Sequence, residues 1–380
     1  MNDQPRAMAF GAFATPPARI GGARSMAPPG TTTGDKVDGA IASILVLDGV
    51  TNGAIYALLA LALVLVFAVT RVIFIPQGEF VAFGALTLAG LQLGHTPLTI
   101  HFLIAMALLA AVLDLIAAAR AGRLAAELAP IALRALPGVA IGLCALWLAP
   151  MKLPLVAQAL LTLAVVTPMG GLLYRLAYQS LADASVLVLL IVSVGVHFAL
   201  TGLGLVFFGA EGSRNPSFWD ASYAAGPLMF SGQTLIIVMA SAALIVALWL
   251  FFEKSLYGKA LRATAVNRLG ARLMGISSTS AGRLSFTLAA FIGALSGILI
   301  SPTTTIFYDS GFLIGLKGFV AAVFAGLSSY PGAALGALLV GLIESFSSFW
   351  ASAFKEVIVF TTILPVLLWR SWRDPHHEEH

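Results

Sequence analysis

Apolar stretches long enough to cross a lipid bilayer recur along almost the whole chain, and this feature limits its fold more than any other. They run from Ile41 to Val69, Gly78 to Leu93, His101 to Ala119, Ala129 to Ala149, Pro154 to Tyr174 and Ser185 to Phe208. Five more run from Thr234 to Phe252, Leu284 to Thr303, Phe312 to Leu327, Pro331 to Phe349 and Phe354 to Trp369. A hydrocarbon core about 30 Å thick requires roughly 17 to 25 apolar residues of helix, so the runs predict an all-α polytopic membrane protein, a bundle of about 9–11 transmembrane helices. The first run is long enough to tilt, and the one beginning at Phe312 is short enough to be partly re-entrant. Composition agrees: 59% of the 380 residues are hydrophobic and only 10% are charged, with a mean hydropathy of +0.96. A soluble domain carries about 25% charged residues. Soluble enzymes and nucleic-acid binders are excluded despite a net charge of +4. The single cysteine, Cys144, lies within an apolar run, which leaves no disulfide framework, metal site or cofactor to expect. The 37 glycines and 18 prolines fit close-packed membrane helices, where small residues and proline kinks are tolerated.

Lysine and arginine accumulate in cytoplasmic loops. The most polar loop, Glu253 to Arg283, holds Lys254, Lys259, Arg262, Arg268, Arg272 and Arg283. Alternating outward from it puts Arg71, Arg120, Arg123, Arg175, Arg370 and Arg373 on the same side, twelve cations in all against Lys152, Arg214 and Lys355 on the other. The expected orientation has the N-terminus outside and the C-terminus inside. Residues 1–40, rich in Pro, Gly, Thr and Ala, read as a disordered polar tail, with 41–370 as the transmembrane domain and 371–380 as a cytoplasmic tail. Ala7 to Ala14 would make a poor signal-peptide core, short and small-sided. A weak internal echo links Pro76-Gln77-Gly78-Glu79 with Pro331-Gly332, each opening a Gly/Ala-rich helix, as a parallel duplication would require.

Ionisable groups at membrane depth are costly and become functional candidates by default. Lys317 lies in an otherwise apolar run, and its alternative is to snorkel toward the outer interface. Gln77 and Glu79 flank a glycine at a helix start, where capping competes with function. Asp48 has the same choice. Glu344, with Ser345, Ser347 and Ser348 close by, reads as hydrogen-bonded structure. His197 stands on an apolar face with no second ligand at metal-binding spacing. Asp114 and Arg134 lie equally far from the turn near Leu124 and are expected to face each other, with Arg120 and Glu127 as a second, solvated pair.

The loop from Tyr257 to Ile276 has the polarity of two short helices, with Gly275 as a stop. Its run Gly258-Lys259-Ala260-Leu261-Arg262-Ala263, the turn Gly275-Ile276 and the following Arg283-Leu284-Ser285-Phe286 resemble the coupling segment of bacterial ABC-importer permeases of the branched-chain amino acid type. Further fragments match in the same order: Asp48-Gly49-Val50 with Gly53-Ala54-Ile55-Tyr56, Gln77-Gly78-Glu79, Tyr174-Arg175-Leu176-Ala177-Tyr178 and Glu211-Gly212-Ser213-Arg214. Gly315-Leu316-Lys317-Gly318-Phe319, Ser329-Tyr330-Pro331-Gly332 and Gly341-Leu342-Ile343-Glu344 complete the set.

That resemblance implies a bacterial inner (plasma) membrane permease subunit, itself not an enzyme. Its expected partners are a second homologous permease, cytoplasmic ATP-binding subunits, an extracytoplasmic solute-binding protein and the lipid bilayer. The implied coupling residues are Gly258, Arg262, Asn267, Ala271, Gly275 and Ile276; the implied pathway residues are Lys317, Gly315, Asp309, Glu79, Gln77 and Asp48. The chain has no G-x-x-x-x-G-K-[ST] phosphate loop, so its energy would come from a separate ATPase. It departs from the family in having Val266, not an acidic residue, beside Asn267. It also has room for three spans where the family has one, a helical hairpin inserted within 95–173. The competing reading is a secondary transporter that works without an ATPase.

Overall fold

The computed structural model describes residues 33–225, 228–327 and 329–373; the readings made for residues 1–32 and 374–380 lie outside the described residues. Helix α1 (Thr33–Thr70) begins ahead of its apolar run, so residues 33–40, read as tail, are helical. A helix once nucleated propagates through such flanking residues at little cost. After α2 (Glu79–Gln92) come α3 (Leu98–Arg120), α4 (Leu124–Leu148), α5 (Leu155–Leu173) and α6 (Val186–Phe208). A short antiparallel hairpin, β1 (Ser222–Ala225) and β2 (Leu228–Ser231), precedes α7 (Gly232–Lys254). Then follow α8 (Leu256–Val266), α9 (Arg268–Leu273), α10 (Ser278–Ile300), α11 (Ser310–Phe324), α12 (Tyr330–Trp350), α13 (Lys355–Thr361) and α14 (Ile363–Arg373). The break between α13 and α14 falls at Thr362, three residues before Pro365, which has no N–H to give to the carbonyl of Thr361.

Nine helical segments among the described residues are long and apolar enough to span a membrane. The other two apolar runs form α2 and α11, of 14 and 15 residues. At 1.5 Å per residue they reach only about 21 to 23 Å, short of a crossing. Nearly all of α2 is buried, so other helices enclose it and lipid does not. The two Pro-Gly echoes thus open helices of different length: α2 and the 21-residue α12.

Between helices in lipid there is little hydrophobic force, and close backbone approach takes its place. Gly49 and Gly53, four apart on α1, face Gly341 of α12. A Cβ on Gly341 would lie 2.7 Å from the Gly53 Cα, and one on Gly53 2.9 Å from the Leu338 Cα. Ser345 of α12 donates to the Leu45 carbonyl at 2.7 Å along the same seam. A second crossing brings Gly78, just ahead of α2, onto Gly311 and Gly315 of α11; a Cβ on Gly315 would lie 2.7 Å from the Gly78 Cα.

The α3–α4 hairpin leans on α5. Arg134 Nη1 lies 4.0 Å from Asp114 Oδ2, but the nearer partner is Arg175, beyond the end of α5, whose Nε donates to Asp114 Oδ1 at 2.9 Å and whose Nη2 donates to the same oxygen. The expected two-membered pair is therefore three-membered, because α5 packs against both helices of the hairpin. The loop between α6 and α7 is pinned to the bundle: Asn215 Nδ2 donates to the Ala85 carbonyl and to Ser301 Oγ, and Gln233, in the first turn of α7, accepts from the Phe218 N–H and donates to the Leu299 carbonyl.

Gly341→Val should destabilise the folded chain by about 1–3 kcal/mol or more through overpacking. Gly195→Val, where a Cβ meets nothing within 4 Å, should do little. Thermal unfolding of the two variants in detergent measures the contrast.

Candidate functional site

Lys317 points into the bundle. Its side chain is 6% exposed, and its Nζ donates to Glu344 Oε1 of α12 at 2.5 Å and to Glu356 Oε1 of α13 at 3.1 Å. Tyr56 of α1 donates its hydroxyl to the other Glu344 oxygen at 2.5 Å, and its ring centroid lies 5.8 Å from the ammonium. The snorkelling alternative is thereby corrected. Four helices contribute to a single polar knot, and an ammonium that Glu344 and Glu356 already hold has no reason to reach for an interface. Sequence reasoning singled out Lys317 and Glu344 separately and missed Glu356. The costliness of a lone intramembrane charge was the signal that each needed a partner.

Gln77 and Glu79 are buried at the joint before α2. Gln77 Nε2 donates to the Ala289 carbonyl of α10 at 3.0 Å. Glu79 makes no capping hydrogen bond; Oε1 lies 2.9 Å from His197 Nδ1 of α6, while Oε2 has no partner among the described residues. The capping alternative for Glu79 is corrected by this contact, which also satisfies His197 within the core; it spans 118 positions, and spacing cannot reveal it. The His197 ring also packs 4.6 Å from that of Phe312.

Gly315 joins Gln77 and Glu79 at the same crossing through its contact with Gly78. Asp309, the residue before α11, is exposed and caps no N–H with its side chain. Asp48 is likewise exposed, and it lies within α1, not at its start, so capping is excluded for it. The six candidates therefore fall into three places: a buried joint at Gln77, Glu79 and Gly315; the charged knot around Lys317; and two exposed carboxylates.

The polar loop folds as two short helices. Ser255 caps α8, its Oγ accepting from the Gly258 N–H at 2.9 Å, and Gly258 lies so close to the end of α7 that a Cβ would meet the Phe252 Cα at 2.7 Å. Asn267 caps α9, its Oδ1 accepting from the Gly270 N–H at 2.8 Å. Gly275, with φ +83°, ends α9 while the Ile276 N–H bonds the carbonyl of buried Ala271 at 2.9 Å, a glycine C-cap. The inner face of α8 anchors through Leu261, which clusters with Leu65 and Val69 of α1. Arg262 makes an exposed pair with Glu253 at 3.4 Å. The outer surface presents Leu256, Tyr257, Val266, Leu269, Leu273 and Met274, all 68–84% exposed. Arg272 reaches Asp183 at 3.3 Å and Arg268 the Ala182 carbonyl at 3.0 Å, tying the turn after α5 to this segment.

Residues 125–367 match the family described as the branched-chain amino acid transport system permease component. The high-affinity branched-chain amino acid transport system permease protein BraD of Pseudomonas aeruginosa is 29% identical over 213 residues, 54% of this chain and 69% of that one. Its Escherichia coli counterpart LivH is 30% identical over 207 residues, 52% and 67% of the two chains. The autoinducer 2 import system permease protein LsrC of Yersinia enterocolitica is 31% identical over 135 residues, covering 33% of this chain and 36% of LsrC.

Lys317→Met should leave the Glu344 carboxylate buried without its cation, a loss of about 3–5 kcal/mol. Adding Glu344→Gln should restore much of the folded yield, read by size-exclusion chromatography and thermal unfolding. Losses that simply add in the double variant would show that the two groups are not coupled.

Proposed function

Because the chain belongs to the family of branched-chain amino acid transport permease components, we propose that it is the inner-membrane permease subunit of an ATP-driven ABC importer. Its solute is a branched-chain amino acid or a related small polar molecule, and it forms half of the translocation pathway beside a second permease. Two cytoplasmic ATP-binding subunits and an extracytoplasmic solute-binding protein complete the assembly. The observation that carries this reading is the α8–α9 segment, six large apolar side chains held outward on a short basic scaffold capped at both helix starts. An apolar helical face with no covering of its own suits a groove on a partner, here the ATPase. Gly258, Arg262, Asn267, Ala271, Gly275 and Ile276 hold that face in shape.

The exposed Asp48 and Asp309 are assigned to the passage itself. Gln77, Glu79, Gly315 and Lys317 act from its wall, fixing the helices that bound it. The twelve-to-three cation bias supports an outside N-terminus and an inside C-terminus.

Gly275→Val imposes a β-branched side chain at positive φ. In reconstituted vesicles carrying the complete transporter, uptake should fall at least several-fold while ATP hydrolysis persists. Full uptake would count against the coupling role, and uptake that survives removal of the ATPase would favour a secondary transporter. Single cysteines at Ser180 and Ser217, in a Cys144→Ser background, should react with an impermeant reagent from opposite faces. Labelling of both from one face would overturn the orientation.

A further inference from the structure

A polar cavity of about 290 Å3 lies where the α3–α4 hairpin meets the end of α5 and the first turn of α10. Asp114, Arg134, Arg175, Arg283, Ser277 and Ser280 are among its lining residues. Three guanidinium groups thus face one carboxylate. Arg175 is committed to Asp114 through two donors. Arg134 stands 4.0 Å away with its side chain 54% exposed, and Arg283 has no ion-pair partner among the described residues. Two positive charges are left in excess in a half-enclosed space, next to hydroxyls and to the start of a 23-residue helix, of whose opening N–H groups Ser277 caps that of Ser280. Each of these features favours an anion, and phosphate oxygens match the guanidinium fork.

The surroundings indicate how such an anion arrives. The hairpin turns an apolar surface outward, with Leu109, Val112, Leu113, Leu133 and Leu136 exposed, and two more arginines, Arg120 and Arg123, stand exposed at its tip. A basic pocket between membrane helices beside a lipid-facing wall has the form of an acidic-lipid headgroup site.

We propose that this cavity binds the phosphate of an acidic phospholipid, or free phosphate, through Arg134 and Arg283, with Arg175 held ready by Asp114. The bound group bridges the hairpin to α10, so the site depends on α3 and α4 being present and stands apart from the transport reading above.

Two phosphate sources are separated by testing the full-length chain, purified and delipidated in detergent, with phosphatidylglycerol, phosphatidylcholine and inorganic phosphate. Bound lipid is counted by native mass spectrometry, and phosphate binding is read from the thermal unfolding shift. Phosphatidylglycerol should bind in preference to phosphatidylcholine, and Arg134→Gln and Arg283→Gln should each weaken it by about fivefold. Lys152→Gln, in the turn at the far end of α4, should leave it unchanged. Protection by inorganic phosphate that Arg283→Gln removes would identify free phosphate as the source and still uphold the site. Should Arg283→Gln fail to fold, Arg134→Gln, at an exposed side chain, keeps the test decisive. Binding that ignores both arginines, falls equally with Lys152→Gln, or is absent for both anions overturns the proposal.

Discussion

In hydrocarbon the flank of one apolar helix gains almost nothing by leaving lipid for another apolar helix, so association must come from fit and from polar groups that lipid cannot satisfy. The α1–α12 seam has both. Gly49, Gly53 and Gly341 remove the side chains that would hold the backbones apart, and the Ser345 hydroxyl and Tyr56–Glu344 contacts then fall within hydrogen-bond reach. Dispersion contacts are individually small and fall off within an ångström of optimum. A single methyl at these positions therefore acts on the whole length of the seam.

The buried charges follow from the same constraint. Lys317 is tolerated because α12 and α13 each bring a carboxylate and α1 brings a phenol. The knot fixes α13, a helix of only seven residues that packs little surface of its own. Glu79 and His197 do likewise for α2 and α6. Such pairs contribute little net stability compared with apolar replacements, but they make alternative packings costly, since each mispairing leaves a charge in lipid.

Local chemistry was legible in the sequence where it depends on neighbouring residues. The long spans, the paired short helices after α7 and the Gly275 stop all follow from runs and turn residues read in order. Rotation about the helix axes was not legible. In water an amphipathic pattern says which face is inside, but a helix between lipid and an apolar core is apolar all round, and so Asp114 gave no sign that Arg175 would be nearer than Arg134. The shortness of α11 was legible in its run, whereas that of α2 was hidden, because its apolar run continues into the turns beyond both helix ends. The β1–β2 hairpin has too few residues and too mixed a pattern to stand out from its loop.

The contact between Gly78 and Gly311 has a mechanical consequence. Where side chains separate two helices, a rotamer change can absorb a shift of one without disturbing the other. Here backbone rests on backbone, and Gly315 closes the same contact one turn further on. No compliant element lies between the two short helices. With no side chain at Gly78 or Gly311 to give way, the connection ahead of α2 cannot move toward the start of α11 without the two backbones shifting together.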